Sequence, residues 1–181
     1  NGDHFGMRDY HVLSIENPAA EVIDNGVALG IADVQWAERQ MWAPDAAHKN
    51  GKYFFYFPAK DKTGMFRIGV AIGDQPEGPF SPQPLAIKGS YSIDPAVFED
   101  EDGSYYMYFG GIWGGQLQKY RNNQFSPENE EPESKENALS PIIAKLREDL
   151  TEFAETPRAI LILDENSIKK KENVDGALLD I

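Results

Sequence analysis

The chain reads as an all-β protein of the propeller type, built from repeated antiparallel sheets, and three observations predict it. Short aromatic or β-branched runs, bounded by Gly, Pro, Asn and Asp, dominate its first two thirds. One sequence unit recurs at roughly fifty residues, within the period range of propellers and solenoids. In each copy a turn pair that accepts positive φ, Asn50-Gly51 or Asp102-Gly103, joins an apolar strand to an aromatic one.

The predicted strands are, in order, Tyr10–Leu13, Lys52–Phe57, Phe66–Ile72, Leu85–Ile87 and Ser104–Phe109. The repeat is carried by Asp45 to Phe57 (DAAHKNGKYFFYF) and Asp94 to Phe109 (DPAVFEDEDGSYYMYF). After the first copy, Phe66–Ile72 and Leu85–Ile87 flank the Gly78-Pro79-Phe80 turn, so a four-stranded sheet is expected between residues 41 and 88, with the next beginning near Ser92. Residues 126–137 are acidic, contain Pro and lack apolar periodicity, which predicts a solvated loop. Over 141–153, Ile142, Ile143, Leu146, Leu150 and Phe153 fall at helical spacing behind Ser140-Pro141, so periodicity alone predicts a helix. The tail from Asp164 mixes Lys169 to Lys171 with acidic residues and reads as a wet face.

Composition narrows the function classes. Thirty acidic against 17 basic residues give a net charge of −13, which repels phosphate backbones and anionic lipid surfaces. Neither nucleic acid nor a membrane is expected as a partner, and no 18-residue apolar run occurs. Aromatic residues make up 12% of the chain, a supply of flat surfaces that strands bury and sugar rings stack on. Without cysteine there is neither a disulfide framework nor a thiolate ligand or nucleophile. The chain begins Asn1-Gly2-Asp3-His4 with no leader-like segment and is expected to be a soluble internal piece of a longer protein. Its compartment is left open, a periplasmic or secreted location being favoured over the cytoplasm.

Several chemistries drop out, because the sequence contains no HExxH, GxxxxGK[ST], strand-to-helix GxGxxG or GxSxG. Asp100 to Gly103 imitates part of a calcium loop, but its first ligand would be Phe98, so a hairpin turn is the better reading. His4, His11 and His48 have no ligand spacing. Trp42 in Trp42-Ala43-Pro44-Asp45 reads either as a core tryptophan or as a platform for a sugar ring, with Asp45 or Arg39 near enough to bond hydroxyls. Asp94 is a carboxylate at the entrance of an otherwise apolar strand, where burial is expensive unless the charge has partners or a task; a turn-capping role is the alternative. The Gly110 to Gly115 stretch permits close backbone approach and exposes Trp113 in a loop, features of a substrate rim or of a glycine-rich hairpin connection.

Taken as an ordered set, Trp42 to Asp45, the Asn50 to Phe57 strand, Gly78 to Phe80 and Ser92 to Phe98 with its aromatic continuation resemble glycoside hydrolase family 43. Met7 to Leu13 and Phe109 to Gln116 resemble its β-xylosidase and α-L-arabinofuranosidase branch. The resemblance implies a five-bladed β-propeller, of which about three blades are present: 1–40 the end of blade 1, 41–90 blade 2, 91–165 blade 3 and 166–181 a linker toward blade 4. It replaces the helix over 141–153 by strands that finish the third blade. It further implies three active-site carboxylates, with Asp94 at the position that tunes the general acid's pKa and orients substrate. Trp42 matches a pocket-lining residue, and Ile93 and the Gly110–Trp113 loop lie beside it. No residue here matches the general base or the general acid: Asp3 and Asp9 lack the surrounding pattern of the first, and Glu165 and Glu172 are poor substitutes for the second. No cofactor is implied with certainty, though the complete propeller leaves room for a calcium or sodium ion in its channel.

Three functions compete at this stage. The first is a glycosidase acting by inversion on arabinose- or xylose-containing plant polysaccharides or oligosaccharides. The second is a carbohydrate-binding propeller without hydrolysis, and the third a protein-interaction propeller. The oligomeric state is unassigned.

Overall fold

The computed structural model describes residues 5–133, 135 and 138–161. Three antiparallel sheets carry the fold, stacked face to face as the blades of a partial β-propeller. In the first, β1 (Asp9–Ser14) and β2 (Ile23–Gly30) form a hairpin whose register slips on either side of His11.

The second sheet contains β3 (Ala37–Arg39), β4 (Asp45–Lys49), β5 (Lys52–Asp61), β6 (Phe66–Gly73) and β7 (Ser81–Pro82). Here β3 and β4 both pair with β5, β3 at its Lys60–Asp61 end and β4 along Lys52 to Tyr56, so the two share one rank and the sheet is four ranks wide. The turn pair Asn50-Gly51, with φ of 51° and 73°, joins β4 to β5 in the left-handed conformation that Asn and Gly accept most readily.

The third sheet starts with β8 (Ala96–Glu99) and β9 (Tyr105–Phe109). A small hairpin, β10 (Tyr120–Arg121) and β11 (Gln124–Phe125), precedes β12 (Ile142–Lys145) and β13 (Arg158–Ala159), and the sheet order is β13-β12-β9-β8. Asp100 to Gly103 forms the expected hairpin turn, closed by Asp100 N donating to Ser104 O at 2.8 Å and Gly103 N donating to Asp100 O at 2.9 Å. Residues 126–133 form no strand or helix. The expected linker at 166–181 lies outside the described residues, as do Asp3, His4, Glu165 and Glu172.

Strand periodicity explains the core. Along β5, Phe55 and Phe57 point to one face, where they pack with Tyr10, Leu29, Ile31, Val34 and Phe80 toward the first sheet. Phe54 and Tyr56 point to the other and join Met107, Phe109, Ile142, Leu146, Leu150 and Phe153 of the third sheet. A strand covered on both faces gains nothing from alternating with polar residues, which is why this one reads as an unbroken aromatic run. Two tyrosine hydroxyls of the core find partners across the sheets, Tyr56 Oη donating to Leu150 O at 3.0 Å and Tyr105 Oη to His48 O at 3.0 Å, whereas the buried Tyr120 Oη has none among the described residues.

Two sequence expectations require correction. Leu85–Ile87 is not a strand; the outer strand of the second sheet is Ser81–Pro82. Beyond it, Pro84 has no backbone donor, and the segment touches β6 only through isolated bonds, Gln83 N to Val70 O and Ile87 N to Ile68 O, each 2.9 Å. The helix read from periodicity over 141–153 is absent. β12 occupies 142–145, and the chain then turns back so that Leu146 bridges Phe153 and Arg147 N donates to Glu152 O at 2.9 Å. All five apolar residues are buried as their spacing suggested, but by a strand and a tight loop with Leu150 at φ 58°. Of the strands implied by the resemblance over this segment, β12 is found, with the isolated Leu146–Phe153 bridge beyond it and β13 following outside the segment at 158–159.

Candidate active site

The segment entering β8 is held in an unusual backbone conformation. Ser92 has φ 63° and Asp94 φ 56°, so two non-glycine residues in three adopt left-handed geometry, each at a cost of about 1–3 kcal/mol. Asp94 also precedes Pro95, a position normally steered to extended backbone. Such a conformation persists only where neighbours over-determine it, and here the Gly110 to Gly115 loop does so. Gly110 N donates to Ile93 O at 2.8 Å. Ser92 is fully buried, and its hydroxyl bonds both the N–H and the C=O of Gly111. Between these contacts the Ile93 side chain fills a notch that exists because two residues lack a Cβ. One added at Gly111 would stand 2.7 Å from Ile93 Cγ1, and one at Gly115 2.6 Å.

This arrangement presents Asp94 at the surface of the loop, with Oδ2 about a van der Waals contact, 3.5 Å, from where a Gly111 Cβ would stand. The residue is exposed on its open side, and among the described residues no group hydrogen-bonds its carboxylate. Partial burial by the surrounding protein raises its pKa above the ordinary aspartate value.

Trp42 borders the same loop from the second sheet. Its ring lies against Phe66, with centroids 4.8 Å apart at 47°, and its Cη2 is 3.0 Å from where a Cβ on Gly114 would stand. Nε1 donates to Phe5 O at 2.8 Å and the backbone N to Pro58 O at 3.1 Å, so the half-buried indole is fixed in orientation. Trp42 and Asp94 therefore meet the two ends of one glycine-rich loop, at Gly114 and Gly111. Trp113, between them, has φ 55° and is 68% exposed, leaving an aromatic side chain with one face open.

The other two residues named from sequence are engaged differently. Asp45 Oδ2 accepts from Val97 N at 2.6 Å, binding β4 to β8. Arg39 is exposed and pairs with the adjacent Glu38. Sequence reasoning passed over Ser92, Phe66 and Gln116, which support the loop. Their only signal was adjacency to glycine or aspartate motifs, and a serine or glutamine in such a place ordinarily faces water.

A cleft of about 470 Å³ lies elsewhere, lined by Tyr91, Leu117, Tyr120, Arg121, Asn123 and Arg158 among others, and it shares no residue with Trp42 or Asp94. Among the described residues no three His, Asp or Glu side chains converge as a cation site.

Comparison with known proteins bears on the family and the fold. The model of glycosyl hydrolases family 43 matches residues 26–158. A xylosidase/arabinosidase (43A) of Humicola insolens is 58% identical, the match covering 90% of this chain and 52% of that protein. A xylosidase/arabinosidase of Bacteroides ovatus is 55% identical, covering 92% of this chain and 51% of that protein. Among solved structures, a GH43_1 enzyme from Xanthomonas citri complexed with xylotriose superimposes with a TM-score of 0.87 at 56% identity, over 91% of this chain and 50% of that one. The chain thus spans about half the length of these relatives.

Proposed function

This chain belongs to glycosyl hydrolases family 43, and from that premise we propose that it supplies part of the sugar site of an enzyme cleaving arabinose- or xylose-containing plant polysaccharides or oligosaccharides. The relatives named xylosidase/arabinosidase and the xylotriose-bound neighbour support this substrate class. The observation that carries the reading is the unpartnered Asp94 carboxylate, set in strained backbone on the loop that also abuts Trp42. Strain of this kind is maintained where a side chain must be aimed.

In the proposed mechanism the anomeric carbon is inverted. One carboxylic acid protonates the leaving oxygen while a carboxylate on the opposite face activates water, the two standing roughly 6.5–9.5 Å apart. The pair must hold opposite protonation states near neutral pH. A third carboxylate close to the acid disfavours its ionisation and keeps it protonated, and this is the role assigned to Asp94. Trp42 offers an aromatic face to a pyranose or furanose ring, with Ile93, Gly110 and Trp113 forming the rim. Arg39 and Asp45 remain proposed hydroxyl ligands only if substrate draws them from their present partners. The general base and general acid are assigned to segments outside this chain.

The deciding experiment compares Asp94 with Asp94→Asn in the chain extended at both ends to the length of its relatives. On an aryl xyloside and an aryl arabinofuranoside, Asp94→Asn should lower turnover strongly and shift the basic limb of the pH–rate profile to lower pH, while KM changes less. An unchanged profile would defeat the assignment. An extended chain that binds xylotriose without hydrolysing any such glycoside would favour the carbohydrate-binding reading.

A further inference from the structure

We propose that Gln116 is a positioning residue for the Trp42 platform, acting as a side-chain stand-in for a missing strand. The proposal rests on the reading of Trp42 as a sugar platform.

The argument begins at the outer edge of β6. At Ala71 and Ile72 that edge is paired by β7, but β7 is two residues long and the edge continues toward Phe66 without a partner strand. Backbone groups along a sheet edge must be satisfied or wetted. At Ile68 a serine does this: Ile68 N donates to Ser90 Oγ at 3.0 Å, and Ser90 Oγ donates back to Ile68 O at 3.2 Å. Two residues earlier it is Gln116, which arrives from the loop that follows β9. Phe66 N donates to Gln116 Oε1 at 2.9 Å, and Gln116 Nε2 donates to Gly64 O at 3.0 Å. A carboxamide presents one acceptor and one donor side by side, as a peptide group of a neighbouring strand would.

The residues at either end of this clamp are the ones that hold Trp42. Phe66, fully buried, lies under the indole at 4.8 Å. Two residues before Gln116, Gly114 passes the indole's far edge so closely that a Cβ there would stand 3.0 Å from Trp42 Cη2. Gln116 itself has φ 66° and ψ 9° and joins two short 3-10 turns, Trp113–Gly115 and Leu117–Lys119, through Gln116 N to Trp113 O at 3.0 Å and Lys119 N to Gln116 O at 2.9 Å. The side chain therefore ties the glycine loop to the β5–β6 hairpin across the gap that Trp42 occupies. Losing the clamp frees both walls without removing any atom that touches sugar.

The test uses the extended chain and xylotriose, with Trp42→Ala as reference. Gln116→Met, close in size but without donor or acceptor, should weaken xylotriose binding about tenfold, with KM for an aryl xyloside rising in step and kcat falling less. Gln116→Glu separates positioning from simple packing. As a carboxylate it accepts from Phe66 N but cannot donate to Gly64 O; protonated, it can do both. Its binding relative to the parent should be weak at pH 7 and recover as pH falls through the glutamate range, about 4.3. Parent-like binding by both Gln116 variants at every pH, with Trp42→Ala defective, would overturn the clamp and leave the platform standing. A Gln116→Glu defect that does not respond to pH would also overturn it. Parent-like binding by Trp42→Ala would remove the platform and the clamp together. If Gln116→Met does not fold, the pH response of Gln116→Glu decides alone.

Discussion

The Ser92 hydroxyl bonds both backbone polar groups of Gly111, Oγ donating to Gly111 O at 3.1 Å and accepting from Gly111 N at 2.9 Å. A single buried side-chain oxygen thus engages both backbone groups of Gly111, whose carbonyl also accepts from Leu117 N, and it sits two positions before Asp94 in the chain.

Replacing Ser92 with Ala should leave the N–H of Gly111 unsatisfied, while its carbonyl keeps the bond from Leu117 N at 2.9 Å. The expected loss is about 1–3 kcal/mol of stability. Urea unfolding of this chain would register it as a lower midpoint at unchanged slope.

Gly111→Ala would bring a methyl to 2.7 Å from Ile93 Cγ1 and 2.8 Å from Cδ1, too close for either atom to remain. Overpacking of this kind costs about 1–3 kcal/mol, and Ile93→Ala alone costs about 2–5 kcal/mol through the cavity it leaves. Because the second change removes the atoms that clash with the first, the double variant should be less destabilised than the two single changes summed. A double-mutant cycle by chemical denaturation measures that difference, and strict additivity would contradict the notch.

Stability should respond to pH with opposite signs at two aspartates. Partial burial raises the pKa of Asp94, so the folded state keeps its proton to a higher pH than the unfolded chain does. The folded state then binds more protons in that window, and stability is lost as pH rises from about 3.9, the unfolded value, through the folded one. Asp94→Asn should therefore melt above the parent at pH 7, with the gap closing on acidification.

At Asp61, burial pushes the pKa up, but hydrogen bonds from Thr63, Met65 and Arg67 outweigh it and hold it below the ordinary value. This contribution is present above the unfolded pKa and lost as pH falls through the folded one. Asp61→Asn should lower the melting temperature at pH 7 and have progressively less effect in acid, the reverse of Asp94→Asn.

Asp45 provides a test between two roles. As the acceptor for Val97 N at 2.6 Å it joins adjacent sheets by a charge-assisted hydrogen bond. Asp45→Ala should cost about 1.5–3 kcal/mol and Asp45→Asn less. Xylotriose affinity of the extended protein should be unchanged in the Asn variant; a marked loss there would return Asp45 to the list of sugar ligands.

What could be read from the sequence follows from which interactions are local. The aromatic strands around Tyr53 to Phe57 and Tyr105 to Phe109 announce themselves, because composition and turn pairs act within a few residues. The segment 141–153 deceived periodicity because a loop that folds Leu150 and Phe153 back beneath Leu146 buries residues at three- and four-residue intervals, as a helix would. Leu85–Ile87 had strand composition, but the strand pairing ended where Pro84 could offer no hydrogen. At the site, Asp94 and Trp42 stood out as a charge and a ring in unexpected company. The Gln116 clamp and the Ile93 notch depend on contacts between residues far apart in the chain, and no local pattern encodes them.

The double-sided aromatic dressing of β5 has a mechanical consequence. Peeling away either neighbouring sheet wets two phenylalanine or tyrosine rings of the middle strand, so neither outer sheet can detach cheaply while the other stays folded. The stack behaves as one cooperative body with β5 as its keel, and the backbone amides of Phe54 to Phe57 are the last places where solvent deuterium would arrive.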